Sequence, residues 1–212
     1  MVVTTIISFT TTVPTDNTIS QLNKALHASP SHPQFTTGTK VQDPTTIQIT
    51  AEWPSVQAPS DLFTSTPFQA FEKAVSDIAS SFKTTIVNLN DSVFVAHSPP
   101  LVEFVHCSFP ASSEPDFQAK IEDDFARFES IFRRRGSQEK VGDIGLATGW
   151  AEEKDGVRAF VVVRGWSGMS RFEDAVQSEE FKEGIPILMA WGVPFELWHV
   201  ERKAGSEGLG LP

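Results

Sequence analysis

The chain has one cysteine, Cys107, no tyrosine, and no arginine before residue 98. A lone thiol excludes an intrachain disulfide and any thiolate-rich zinc or iron–sulfur centre. Positive charge is scarce as well: 17 Lys and Arg face 27 Asp and Glu, a formal net charge of −10. That balance speaks against a nucleic-acid partner, which needs a basic surface, and against docking on anionic lipid. Long apolar runs are missing. Ile185 to Phe195 is eleven residues with two prolines, whereas a bilayer helix needs about 20 apolar residues. No membrane span is expected, and with no basic stretch before Lys24 the expected location is cytoplasmic. Walker, G-x-G-x-x-G, G-x-S-x-G and H-E-x-x-H motifs are all absent. Neither a nucleotide cofactor nor zinc is expected, and no other cofactor is implied.

What is present is unevenly spread. The apolar share is 40% and the charged share 21% of 212 residues, the composition of one large or two small globular units. Seventeen threonines precede residue 98 and only Thr148 follows it, while four of five tryptophans and all eight arginines lie in the second part. A cut after His97 therefore separates a first unit, 1–97, from a second, 98–204, with 205–212 as a Gly-rich tail expected to fray.

The order of elements repeats across that cut. In the first unit, Val3–Thr11 reads as a strand and Asp16–His27 as a short helix. A weak strand near Gly38–Gln42 and an alternating one over Thr45–Trp53 follow. Phe68, Phe71, Val75, Ile78 and Phe82 recur at helical spacing, which predicts a helix from Thr66 to Phe82, with Gln69 closing a capping box on Thr66. Lys83–Asn88 is the last strand and Asn90–Pro100 the linker. In the second unit, Leu101–Phe109 is a strand and Pro115–Arg135 a helix, its charges Arg133 to Arg135 complementing the helix dipole. Val141–Glu152 and Val157–Trp166 are strands around Lys154-Asp155-Gly156. A helical region over Ser170–Ala190 opens on the box Ser170-x-x-Glu173 and must be broken or ended by Pro186. Phe195–Glu201 closes the unit. The acidic run Glu122-Asp123-Asp124 reads as a solvated helix face.

Two successive β-α-β-β-α-β units are a tandem of ferredoxin-like α+β folds. Each sheet covers one face with its two helices and leaves the other bare, so the two bare faces are expected to close on each other. The chain would then be a monomeric pseudo-dimer, or a homodimer of such units.

The residues after the third strand of each unit carry a resemblance. They are Gly165-Trp166-Ser167, Phe172-Glu173-Asp174-Ala175-Val176 and Ser178-Glu179-Glu180-Phe181 in one, and Glu52-Trp53-Pro54, Asp61-Leu62-Phe63 and Thr66-Pro67-Phe68 in the other. A strand ending in Trp, a short helix and a Ser- or Thr-started second helix, 13 residues on from Trp53 and 12 from Trp166, resemble the dimeric α+β barrel superfamily. The likeness is to its antibiotic-biosynthesis-monooxygenase-like domains, as two fused copies. The resemblance implies an apolar or aromatic small-molecule ligand held between sheet and helices, and cofactor-free oxygenase- or cyclase-like chemistry on an aromatic or polyketide-like substrate. Gln177 stands where members commonly carry a histidine, and the tyrosine some of them use is absent.

Among chemically capable residues, His106 and His199 lie on the first and last strands of the second unit, which are neighbours in this fold. If they share a face, one can act as a base with the other as its orienting partner. Cys107 faces away from His106. His27 and His32 border a loop, and His97 lies in the linker. Arg164 interrupts an apolar strand on the face of Phe160, Val162 and Trp166, where a buried cation needs a partner and is expected to hold a substrate carboxylate or enolate. Trp53 and Trp166 occupy matching places, Trp150 and Trp198 add aromatic surface, and with Arg164 these four tryptophans are the expected substrate-binding residues. These residues make the second unit the expected pocket and the first its scaffold. Alternative readings are a non-catalytic ligand-binding or stress-response barrel, and haem held by His106 or His199.

Overall fold

The computed structural model describes residues 2–12, 15–27, 34–55, 57–75, 79–92, 99–112, 115–134 and 143–208. His32, His97, Arg135, the expected boundary at 97 and the tail beyond 208 lie outside them. The first repeat comprises β1 (Val2–Thr11), α1 (Thr15–His27), β2 (Gln34–Lys40), β3 (Thr46–Trp53), α2 (Ala58–Thr64), α3 (Thr66–Val75) and β4 (Ala79–Leu89). The second comprises β5 (Leu101–Pro110), α4 (Pro115–Phe132), β6 (Asp143–Ala151), β7 (Val157–Trp166), α5 (Met169–Gln177), α6 (Glu179–Met189) and β8 (Phe195–Gly208). Among the described residues, no helix is long and apolar enough to cross a membrane.

The strands form one closed barrel in the order β1-β3-β2-β8-β5-β7-β6-β4. The first repeat supplies β4-β1-β3-β2 and the second β8-β5-β7-β6, the same ferredoxin-like order twice. They join at two seams, β2 with β8 and β6 with β4. The fold is therefore the expected α+β tandem, with each repeat closing the other's sheet. Close approach at both seams depends on a missing side chain. A Cβ on Gly38 would collide with the Glu201 carbonyl oxygen, and one on Gly149 with that of Asn88.

Alternation along the strands builds three apolar clusters. Ile7, Phe9, Ile47, Ile49 and Trp53 face outward against Ile19 and Leu22 of α1. Phe160, Val162 and Trp166 face outward against Phe125 and Phe128 of α4. The third cluster contains no helix residue: Ile6, Val87, Phe104, Val161 and Val200 meet inside the barrel. The interior wall from β1, β2 and β3 is polar instead, with Thr4, Thr36, Gln48, Thr50 and Glu52 all buried. Threonine supplies β-branched bulk for a strand together with a hydroxyl that can be hydrogen-bonded. Much of the threonine excess thus falls on buried strand positions of the first repeat.

Several local expectations are corrected. Helix α3 ends at Val75, and Phe82 belongs to β4, stacked on Phe9 at 5.0 Å. A bulge at Ser81, whose φ is 57°, shifts the β1–β4 register and places Phe82 beside Phe9. Cross-strand pairing overrides the helical spacing there. The cap of α3 is Ser65, whose Oγ accepts from Phe68 N–H at 3.3 Å. Ser170 and Glu173 form no capping box, because α5 starts at Met169 after Gly168, without a side-chain cap. The break in the 170–190 region falls at Ser178, not at Pro186. Ser178 is extended (φ −63°, ψ 152°) and accepts from Phe181 N–H at 3.1 Å, while Pro186 stays inside α6 at the cost of one backbone bond. With Ser65 and Ser178 as caps, the distance from Trp53 and from Trp166 is the same. The weak second strand starts earlier, at Gln34. Strand β8 runs on to Gly208, which pairs with Phe35, so the tail expected to fray from Gly205 is strand up to that point.

Candidate active site between sheet and helices of the second repeat

On the outer face of β5, β7 and β8, under α4, α5 and α6, lies a cavity of about 150 Å³. Its walls include Phe125, Phe128, Phe172, Ile185, Leu188 and Trp191, and the polar side chains reaching it are Glu103 and Arg164. Glu103 is the residue the sequence reading missed. It stands on the same face of β5 as Val105 and Cys107, and a charge on an otherwise apolar strand face was the available signal. Glu103 is 7% exposed, and Trp166 Nε1 donates to its Oε2 at 3.1 Å. His199 Nε2 lies 3.7 Å from the same oxygen.

Arg164 is buried and forms an ion pair with Glu129 of α4, while its guanidinium lies 5.2 Å from the centre of the Phe132 ring. Glu129 also accepts from Arg133 Nε at 2.9 Å. Burial of Arg164 is thus compensated by a carboxylate, as a desolvated cation requires. The register explains the convergence. Glu103 is the cross-strand partner of both Arg164 on β7 and His199 on β8. Three side chains on adjacent strands therefore point to one patch of the helix-facing layer.

His106 and His199 do not come together. His106 pairs with Glu196 and His199 with Glu103. Because Glu103 and His106 are three residues apart, they face opposite sides of the sheet, which removes the expected base-and-orienter pair. His199 is 1% exposed on the helix side, edge-on to Phe172 at 4.3 Å. His106 points into the barrel beside Trp198, at 4.8 Å. Burial first, and then Lys83, lower its pKa to about 4, so the ring is neutral at pH 7. It borders a separate recess of about 520 Å³ with Lys83 and Glu196.

The tryptophans divide likewise. Trp166 and the unforeseen Trp191 line the cavity. Trp198 lies inside the barrel, stacked on Phe104 at 5.6 Å, and donates to Gln48 Oε1 at 2.7 Å. Trp53 is buried in the first repeat's helix-facing core and donates to Thr5 Oγ1 at 3.0 Å. Trp150 lines a neighbouring groove of about 720 Å³. Its Nε1 donates to Glu122, and Trp191 Nε1 donates to Asp124, at 2.8 and 3.2 Å. The acidic run is solvated at Glu122 and Asp123, as expected, while Glu122 and Asp124 each also hold an indole. Cys107 lines the cavity with its pKa pushed by burial up to about 12, so it remains a thiol. Neither histidine is among the residues lining the cavity. Among the described residues, no three His, Cys, Asp or Glu side chains gather as a metal site.

No family model and no curated protein matches the chain. Solved structures do. An anthrone oxidase-like protein superposes with a TM-score of 0.67 over 99% of this chain and 95% of its own, at 16% identity. The chain has the fold of a fused dimeric α+β barrel. A candidate monooxygenase from Fusobacterium nucleatum subsp. nucleatum resembles the fused barrel over 99% and 96% of the two chains, with a TM-score of 0.66 and 11% identity. A second candidate monooxygenase, from Lactobacillus acidophilus, matches over 95% and 94% with a TM-score of 0.58 and 12% identity.

Proposed function

We propose that the fused barrel is a cofactor-free oxygenase of aromatic, polyketide-like small molecules, working in the second repeat's cavity. The observation that carries this reading is a carboxylate, Glu103, held by Trp166 and set with Arg164 in the wall of a chamber whose other described lining is apolar. Such a carboxylate can take a proton from an acidified C–H or phenol, and a nearby guanidinium, Arg164, can stabilise the resulting enolate. The enolate then reduces dioxygen directly. A ring methylene becomes a carbonyl, one oxygen atom enters the product, and the other leaves as water with the two hydrogens. The anthrone oxidase-like neighbour makes an anthrone the first substrate class to try.

Size sets the form of the complex. An apolar cavity of roughly 150 Å³ accommodates one benzene ring. One substrate ring therefore enters the chamber as it stands, and a fused tricycle displaces a wall residue such as Phe172. The test is oxygen uptake with an anthrone, comparing the wild type with Glu103→Gln. Loss of a general base lowers the rate by about 10²- to 10⁴-fold. An equal rate in the variant would sink the assignment of Glu103. Ring binding without any oxygen uptake would favour a non-catalytic binding barrel.

A further inference from the structure

Gln42, from the first repeat, reaches the buried histidine of the second. It lies just past β2, at the seam with β8, and three hydrogen bonds tie this corner to His199. Val41 N–H donates to the His199 carbonyl at 2.9 Å. His199 N–H donates to Gln42 Oε1 at 3.0 Å, and Gln42 Nε2 lies 3.0 Å from His199 Nδ1. The middle bond decides the chemistry. A backbone N–H can only donate, so the amide oxygen is committed to it and the amide nitrogen must donate to the ring. Nδ1 then receives that bond with its lone pair, and the neutral imidazole carries its proton on Nε2. Nε2 is the nitrogen 3.7 Å from Glu103.

We infer that Gln42 is a positioning residue: acting across the repeat boundary, it fixes the tautomer and rotation of His199 so that Nε2–H faces the Glu103 carboxylate. Its kinetic consequence rests on the proposed role of Glu103, but the tautomer does not. The other seam supplies an internal control. There Glu152 N–H donates to the Ile86 carbonyl at 2.8 Å, the counterpart of the Val41 bond. The next residue is Glu153, and the facing position is Ile86 instead of a histidine. The backbone bond thus recurs at both seams, while the side-chain clamp occurs only at the seam behind the cavity. Barrel closure does not require it. Gln42 is itself exposed, so replacing it leaves the core intact.

The experiment is ¹⁵N NMR of the imidazoles in the full chain, with His199 assigned by its loss in His199→Asn. In the wild type, His199 is expected to show a protonated Nε2 and a bare Nδ1. Gln42→Glu puts a second acceptor where the amide N–H was, so Nδ1 acquires a proton, by tautomer exchange or as imidazolium. With a turnover assay, the same variant loses kcat about 10- to 100-fold, as outer-shell orienting partners do, at little change in KM. A wild-type Nδ1–H tautomer, or a Gln42→Glu spectrum identical to the wild type, overturns the inference. Failure of every oxygen-uptake assay with the wild-type tautomer as stated removes the oxygenase reading and leaves the clamp standing.

Discussion

The two repeats share topology and register but place their polar residues on opposite faces of the sheet. In the first, Thr5 is cross-strand partner to Ala51 and Ile86, with Trp53 donating to its hydroxyl. In the second, the matching places hold Glu103, Arg164, His199 and Trp166. The helix-facing layer of the first repeat is therefore ordinary core, and that of the second contains charge. Inside the barrel the order reverses: the polar wall comes from β1, β2 and β3, the apolar one mostly from β5, β7 and β8. A duplicated unit has two buried faces per copy, and these copies have specialised different ones.

Exchanging residues between matching positions probes that division. The largest effect is expected from Arg164→Ala, which installs the first repeat's Ala51. Removing one member of a buried ion pair strands the other and costs about 3–5 kcal/mol. Glu129 keeps Arg133, so the loss should fall near the lower end, read as a shift in urea midpoint. Arg164→Leu combined with Glu129→Leu should recover much of it.

His106→Ser installs Ser8, its counterpart in the first repeat, and tests the barrel interior through pH. The folded-state pKa of about 4 lies below the usual 6.5. The unfolded chain therefore binds the proton first as pH falls. His106 costs nothing above about pH 6.5. Stability then drains away as the pH drops towards 4, by roughly 3 kcal/mol in all. Urea titrations across that window should show a slope in the wild type and a flatter one in the serine variant, whatever its absolute stability.

The smallest effect separates the matched tryptophans. Trp53→Phe removes a neutral hydrogen bond worth about 1 kcal/mol, whereas Trp166→Phe removes one to a carboxylate, worth about 1.5–3 kcal/mol. Equal losses on thermal unfolding would erase the distinction drawn between the two layers.

The repeated order of strands and helices was legible because each element carries its own period and its own breakers. Trp53 and Trp166 matched because each ends a third strand, 12 residues before a serine cap. The site was less legible. Arg164 stood out by interrupting an apolar run, but Glu103 lies two residues into a strand where a charge reads as an edge. His106 and His199 looked like partners because adjacency of strands is visible in sequence and register is not. A shift of one residue reverses a face. Gln42 carries no local signal at all; its role exists only once β2 meets β8, 157 residues further along the chain. Phe82 misled for the same reason, since a bulge set by β1 outweighed its helical spacing.

The glycine seams bear on solubility. A sheet edge offers unpaired N–H and C=O groups to any passing strand, and a closed barrel has no edge to offer. Either repeat alone would present two, β2 and β4 or β6 and β8. Gly38 and Gly149 hold those edges shut, since any side chain there would collide with the opposing backbone. Loss of either glycine would do more than loosen a packing contact: it would turn a self-capped protein into one with a template for aggregation.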